Sequence, residues 1–156
     1  MEYYTACFFG HRKIDETEEL KNNLYEIIED LIVNENVDTF FFGNKSEFDD
    51  LCHKTVTELK EKHSYIKRIY VRSAFQHIPD WYEDSLLKHY EGTYFPEHME
   101  NAGRASYVER NQEMINRSFV WFTMMKTICH QDEETADGIY SIINLKAEPL
   151  LPIITQ

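Results

Sequence analysis

Two aromatic runs of the sequence each end in a glycine that precedes residues able to bind an anion. Gly10, His11 and Arg12 follow the first run, at residues 3–9. Glycine lets a backbone approach a ligand closely, and an arginine side chain offers a planar fork of donors that suits phosphate or carboxylate. A tight turn with a solvated arginine and a histidine bonded to a loop carbonyl explains the same residues, so both interpretations stand.

The second aromatic run, at residues 39–42, is followed by Gly43, Asn44 and Glu47. Ser46 with Asp49 three residues later predicts the beginning of a helix with a capping box. Acidic residues in the first turn of a helix usually interact with the helix dipole. Glu47 could instead bind ribose hydroxyls or act as a general base, which makes it a candidate catalytic residue.

A third group, Arg110 and Asn111, lies in a segment whose pattern predicts a helix over residues 104–116. Arg110 is a candidate anion ligand, although a surface pair with Glu113 explains it equally well. No metal site is expected, because the histidines are scattered and no H-E-x-x-H spacing occurs.

Alternating strand and helix patterns are expected to position these residues. Besides the runs above, strands are predicted at residues 66–71, 119–124 and 150–154, and helices at 17–34, 46–63, 104–116 and 134–145. One further helix and one short strand are expected within residues 73–103. The alternation predicts an α/β fold with a mainly parallel sheet, helices on both faces, and a single domain over residues 1–156.

Ligands of such sheets bind at the carboxyl ends of the strands. Gly10, Gly43, Ser73 and the residues just after Met124 fall at these predicted ends. We therefore expect Arg12, Glu47 and Arg110 to converge on one cavity.

The composition limits the partners. The 156 residues carry 28 acidic and 16 basic side chains, a formal charge of −12. Such a field repels phosphate backbones and anionic membrane surfaces, so neither nucleic acid nor membrane is an expected partner. Three cysteines without C-x-x-C spacing indicate a reduced, cytoplasmic protein, and no run is apolar enough to cross a membrane. A cysteine nucleophile is a weak alternative.

Four separated segments together resemble the YpsA-like branch of the SLOG superfamily. They are CFFGHR at residues 7–12, FFFGNKSEFD at 40–49, TYFPE at 93–97 and YVERNQEMINRSFVWF at 107–122. This group is related to the DprA/Smf proteins and to the "lonely guy" nucleoside-monophosphate phosphoribohydrolases. The resemblance covers about residues 6–122 and implies a Rossmann-like three-layer α/β/α fold.

The resemblance also implies a site for a nucleotide or nucleotide-derived ligand. The residues that match are Gly10 and Arg12, Gly43, Asn44 and Glu47, and Arg110 and Asn111, with His11 in the first loop. The phosphoribohydrolases carry a glycine-rich loop, P-G-G-x-G-T-x-x-E, after the next strand. The corresponding residues 123–134 contain no glycine here, so the usual phosphate cradle is not expected. Glu133 or Glu134 could stand where the family's catalytic acid stands, and Lys126 could supply a point charge.

Three functions follow as hypotheses. The first is a module that senses or sequesters a nucleotide-derived ligand without a cofactor. The second is a hydrolase of an N-glycosidic bond, with Glu47 or Glu134 as the catalytic acid. The third is a protein-interaction domain with a decayed pocket, whose contact surface is formed by Phe75, Trp81, Tyr82, Tyr94 and Phe95. Related domains commonly associate, so a homo-oligomer is a further expectation.

Overall fold

The computed structural model of the protein describes residues 2–43, 45–99, 103–127 and 139–146. The helices are α1 (Glu18–Asn34), α2 (Glu47–Lys62), α3 (Asp80–Leu87) and α4 (Ser106–Asn116). The strands are β1 (Tyr4–Phe9), β2 (Val37–Phe42), β3 (Lys67–Val71), β4 (Gly92–Tyr94), β5 (Val120–Thr127) and β6 (Ile139–Lys146). Two single 3₁₀ turns, Glu97–Met99 and Gly103–Ala105, precede α4.

The strands of this described part form one sheet in the order β4-β3-β2-β1-β5-β6. β1 lies between β2 and β5 and is parallel to both, with Cys7 aligned to Phe41 on one side and to Trp121 on the other. The β2–β3 and β3–β4 pairs are also parallel, and only β6 is antiparallel to its neighbour among the described strands. Parallel strands need long crossover connections, and here these carry the helices.

Alternate residues of the central strands face opposite layers of helices, as the pleat of a strand requires. Ala6 and Phe8 point into the larger core, which α1 and α2 cover. Cys7 and Phe41 point into the second core, where Met114 of α4 packs. The fold is therefore a Rossmann-like three-layer α/β/α arrangement with a mainly parallel sheet, as the sequence predicted.

The helix boundaries follow from side chains that cap the first backbone N–H groups. Thr17 Oγ1 accepts a hydrogen bond from Leu20 N at 3.1 Å, and Ser46 Oγ accepts from Asp49 N at the same distance. The predicted N-cap at Ser46 is confirmed. The helix and short strand expected within residues 73–103 are α3 and β4.

The prediction of a helix over residues 134–145 is wrong for the part that is described. Residues 139–146 form β6, antiparallel to β5, with Ile143 aligned to Thr123. The segment contains three isoleucines and one tyrosine, and such residues favour a pleated strand once a neighbouring strand offers pairing. The predicted strand at residues 150–154 lies outside the described residues.

The fifth strand is longer than predicted. It runs from Val120 to Thr127, three residues beyond Met124, so residues 123–127 belong to the sheet and not to a phosphate-binding loop. Lys126 pairs with Tyr140 through the backbone ladder. The expectation that this strand ends just after Met124 is therefore wrong, since the described residues continue it through Thr127.

No helix in the described part of the chain combines the length and the apolar character that crossing a membrane requires.

Candidate ligand-binding site

The loop after β1 is held against the beginning of α2. A Cβ atom placed on Gly10 would lie 2.2 Å from Phe48 Cδ1, closer than any van der Waals contact allows. The Glu47 backbone N–H donates to the Arg12 carbonyl at 3.1 Å. Glycine at position 10 thus lets α2 pack against the end of β1. This contact sets the position of His11 and Arg12, whose side chains are both exposed.

The carboxylate of Glu47 binds the same loop. Lys13 Nζ donates to its Oε1 at 2.8 Å, and the Ile14 backbone N–H donates to its Oε2 at 2.9 Å. These bonds, that of Lys13 first, lower the pKa of Glu47 below its ordinary value. A carboxylate of low pKa is a weak proton acceptor, so the geometry favours a role in holding the loop. The predicted catalytic role of Glu47 stays a prediction.

The turn after β2 brings Gly43 against a buried arginine. A Cβ atom on Gly43 would lie 2.8 Å from the Val71 carbonyl oxygen and 3.1 Å from Arg110 Cδ. Arg110 Nη1 donates to the Gly43 carbonyl oxygen. Glycine is therefore needed at position 43 because β3 and the arginine both approach its Cα closely.

Arg110 is 2% exposed although it carries a charge. Its Nη2 and Nε donate to Asn111 Oδ1 at 3.0 and 3.3 Å, and its Cζ lies 5.4 Å from the centroid of the Tyr107 ring. Burial lowers the pKa of the guanidinium, while the nearby Asp49 raises it. Glu113, the surface partner considered from sequence, instead binds Arg117 at 2.5 Å.

Asp49 is a buried acid two residues after Glu47. It is 4% exposed, and its Oδ1 has no hydrogen-bond partner among the described residues. Burial raises the pKa of this carboxyl group well above its ordinary value, and the charge of Asp50 raises it further. Arg110 and the N–H of Gly43, which donates to the carboxyl group, act in the opposite direction.

The sequence interpretation took Asp49 only as part of a helix cap and missed it as a candidate functional residue. Its spacing carried a signal. Cys52 and Val56 follow Asp49 by three and seven residues, which places all three on one face of a helix. All three are buried in the structure. An acid on the apolar face of a helix is unusual, because burying a charge is costly unless it is paired.

Glu47 and Asp49 both line a cavity of about 540 Å³ at the carboxyl ends of β1, β2 and β3. Three cations contribute to its lining: Arg12, Lys13 and Lys45. The first turn of α2 contributes Ser46, Glu47, Asp49 and Asp50. Cations at the rim thus lie beside a helix N-terminus, where backbone N–H groups favour negative charge.

Tyrosine rings form another part of the cavity lining. The rings of Tyr70 and Tyr90 lie 5.2 Å apart between centroids, and both residues line the cavity together with Leu86. Burial raises the pKa of both hydroxyl groups, so they remain neutral donors and acceptors. His53 packs 4.8 Å from the Tyr90 ring, and its Nε2 donates to the His89 carbonyl oxygen at 3.0 Å.

The predicted site residues are therefore placed in two groups. Arg12 and Glu47 line the cavity. Gly43 and Arg110 contact each other beside Asp49, and Arg110 is not among the lining residues. α2 and α4 cover opposite faces of the sheet, and Arg110 reaches Gly43 at the carboxyl edge. Asn44 and Glu134 lie outside the described residues.

The aromatic residues considered as a contact surface differ in exposure. Phe75 and Trp81 are 75% and 72% exposed, while Tyr82, Tyr94 and Phe95 are partly buried. In the described ranges, no three histidine, cysteine, aspartate or glutamate side chains form a group that could hold a metal ion.

Fold and cavity together define an α/β protein with a polar, cation-rimmed cleft at the carboxyl edge of its sheet. The sequence matches no protein-family model, and no curated protein matches it at a significant level.

Proposed function

We propose that the protein binds a nucleotide or nucleotide-derived small ligand in the cavity at the carboxyl edge of the sheet, as a sensor or sequestering module. One observation carries the proposal. Exposed Arg12 lines a cavity of about 540 Å³ whose other lining residues include neutral tyrosines and the N-terminus of a 16-residue helix. This volume lies within the range of about 300 to about 1,000 Å³ typical of small-molecule sites.

The lining suits a ligand with one anionic end and one planar, uncharged end. Arg12 and Lys45 are exposed at the rim and supply positive charge for phosphate. Tyr70 and Tyr90 supply ring surfaces on which a base can pack and hydroxyl groups that can bind it. A nucleotide has both ends, and the resemblance of residues 6–122 to the YpsA-like branch of the SLOG superfamily points to the same ligand class.

The test is isothermal titration calorimetry of the whole chain with AMP, NAD and ADP-ribose. At least one probe should bind, and Arg12→Met should weaken it about tenfold, because a charge-assisted hydrogen bond to phosphate is lost. Lys67→Met is the matched control, since Lys67 begins β3 at the opposite edge of the sheet and is exposed. The control should bind as the wild type does.

Two outcomes would overturn the proposal. One is an absence of heat for every probe with a folded wild-type protein. The other is equal affinity of wild type and Arg12→Met, which would mean that the cation-lined cavity is not where the probe binds.

A second candidate function, hydrolysis of an N-glycosidic bond, is favoured by one specific observation. Glu47 and Asp49 line the same cavity, and their surroundings move their pKa values in opposite directions. Such a pair can divide the roles of ionised carboxylate and protonated acid. Release of free base or nicotinamide from the probes, detected by NMR, would support it. Glu47→Gln and Asp49→Asn should then each abolish product formation without preventing binding.

A cytoplasmic location belongs to the same proposal. Cys7 and Cys52 are both buried and carry no disulfide. Burial raises the pKa of the Cys7 thiol to about 12, and burial likewise raises that of Cys52. Thiols of high pKa are unreactive, so these two act as small apolar core residues. Self-association, and the exclusion of nucleic acid by net charge, stay predictions.

A further inference from the structure

We propose that the carboxyl group of Asp49, a buried residue that lines the cavity, donates a hydrogen bond to an uncharged acceptor atom of the ligand, a carbonyl oxygen or a ring nitrogen. The inference rests on the proposed function, since it assigns a specificity-determining residue to the same site. The inference also specifies the ligand more closely, because the end that contacts Asp49 must carry an uncharged hydrogen-bond acceptor.

The geometry of the carboxyl group is the first support. The Gly43 N–H donates to the carboxyl group, whereas Oδ1 has no hydrogen-bond partner among the described residues. A buried polar atom without a hydrogen-bond partner destabilises the folded protein, and native proteins rarely leave such an atom unpaired. Because Asp49 lines the cavity, a bound ligand is well placed to supply the missing partner.

The protonation state is the second step. Groups from every surrounding element interact with Asp49: Cys7 of β1, Asp50 and Cys52 of α2, Tyr70 of β3, Tyr90 after α3, and Arg110 of α4. Arg110 is the one cation in this set, and it also donates to the Gly43 carbonyl and to Asn111. Burial and Asp50 outweigh it, so that the pKa of Asp49 is raised. The neutral acid then offers an O–H donor at Oδ1.

A neutral acid at this point divides the cavity by charge. Arg12 and Lys45 at the rim attract the anionic end of a ligand. The inner end meets an uncharged donor that binds a carbonyl or ring nitrogen. Ligands that lack such an acceptor would leave the donor unpaired, which discriminates against them strongly.

The experiment measures affinity for ADP-ribose by calorimetry from about pH 5 to about pH 9, because its pyrophosphate diester carries no group that titrates there. Wild-type affinity should fall as the pH rises through the pKa of Asp49, by about tenfold per pH unit above it. Asp49→Asn keeps an N–H donor and should bind without this fall. Titrating histidines affect both proteins equally, so the difference between the two profiles reports Asp49 alone.

Two further variants complete the design. Asp49→Leu removes the donor and should bind at least about tenfold more weakly. Circular dichroism shows whether Asp49→Leu folds. If it does not, the difference between the pH profiles of wild type and Asp49→Asn alone tests the donor role. Glu58→Gln is the matched control, because Glu58 is exposed on the same helix and outside the cavity lining. It should reproduce the wild-type profile.

A readout without ligand separates the two proposals. The side-chain carboxyl carbon of Asp49, followed by NMR, should titrate well above the range of an ordinary aspartate in the unliganded protein. An ordinary titration overturns the donor role whether or not any probe binds. Binding with identical pH profiles in wild type and Asp49→Asn, or an affinity that rises with pH, overturns this inference alone. A raised pKa with no binding of any probe overturns the proposed function and, with it, the ligand contact.

Discussion

Glu47 and Asp49 lie two residues apart in the first turn of one helix, yet the structure gives their carboxyl groups opposite properties. Glu47 is partly exposed, and bonds from Lys13 and Ile14 hold its pKa low. Asp49 is buried, and desolvation raises its pKa. The position of an acid along a helix therefore does not decide its chemistry. Two positions of one turn can face different surroundings, here water for Glu47 and the protein interior for Asp49.

The two sides of the cavity differ in the same way. The outer side, Arg12 with Lys13 and Glu47, consists of exposed charges that contact one another or solvent. The inner side is the carboxyl group of Asp49, beside which Arg110 binds the Gly43 carbonyl, and both of these ionisable side chains are buried. We expect changes on the inner side to affect folding first, and changes on the outer side to affect ligand binding and loop order.

The largest expected effect is that of Arg110→Met on the inner side. Removing this guanidinium leaves the buried Gly43 carbonyl oxygen and Asn111 Oδ1 without their donor, so the free energy of unfolding should fall by about 3 kcal/mol. Urea denaturation measures the loss. Arg104→Met is the control, because Arg104 is exposed in the turn before α4. It should change stability by less than about 0.5 kcal/mol.

Equal stability of Arg110→Met and wild type would contradict the contrast between the two sides. The variant Arg110→Lys separates the contribution of the charge from that of the planar guanidinium. Lysine keeps the charge but lacks the planar fork that reaches Gly43 and Asn111 together, so an intermediate loss is expected.

A smaller loss is expected from Gly10→Ala, beneath the outer side. The new methyl group would overlap the Phe48 ring, whose Cδ1 lies 2.2 Å from the Cβ position, and the strain should cost about 2 kcal/mol. Phe48→Ala removes the Cγ and Cδ1 atoms, which lie 2.4 and 2.2 Å from the Cβ position, so Gly10→Ala should cost less stability in a Phe48→Ala background than in the wild type. The control Gly92→Ala meets only the flexible end of Ile69 at 3.2 Å and should cost less.

Additive effects of the Gly10 and Phe48 substitutions would mean that the ring does not limit position 10. The backbone of the outer side would then not depend on the buried contact between Gly10 and Phe48. The hydrogen bonds of Glu47 alone would hold the loop after β1 in place.

Most of the fold was predictable because its signals are local. Glycine after aromatic runs marked the ends of β1 and β2, and three- and four-residue spacing marked α1 and α2. β6 was not predictable, since its identity as a strand depends on pairing with β5 and not on its own pattern. The same dependence on a neighbour hid the continuation of β5 past Met124.

The site was predictable at the level of loops and not at the level of side-chain environment. The sequence indicated Arg12 and Glu47 at one edge of the sheet, and both line the cavity. The burial of Asp49 follows from the packing of α2 against the sheet, and the local signal for it is that Asp49 shares one helix face with the apolar Cys52 and Val56. The sequence predicts Arg110 as an anion ligand, yet the guanidinium donates to the Gly43 carbonyl oxygen and to Asn111, because α4 lies on the other side of the sheet.

The smallest expected effect on folding is that of Glu47→Ala, on the outer side. The urea midpoint should stay unchanged, because exposed ion pairs contribute little to stability. The Ile14 amide should nevertheless exchange with solvent several-fold faster, since Glu47 Oε2 is its acceptor. Glu47→Gln keeps an oxygen acceptor, so its Ile14 amide should exchange at a rate between those of the wild type and Glu47→Ala.

The protection of the Ile14 amide from exchange should depend on pH, and the direction of this dependence follows from the pKa of Glu47. The pKa of Glu47 is lower in the folded protein than in the unfolded chain. Its contribution to holding the loop is therefore complete above the pKa of the unfolded chain, and it is lost as the pH falls through the pKa of the folded protein. Asp49 shows the reverse order, because a raised pKa favours the folded state at low pH. If Ile14 protection in the wild type were unchanged at acid pH, the Glu47 carboxylate would not be what orders the loop, and the outer side would be held by backbone contacts alone.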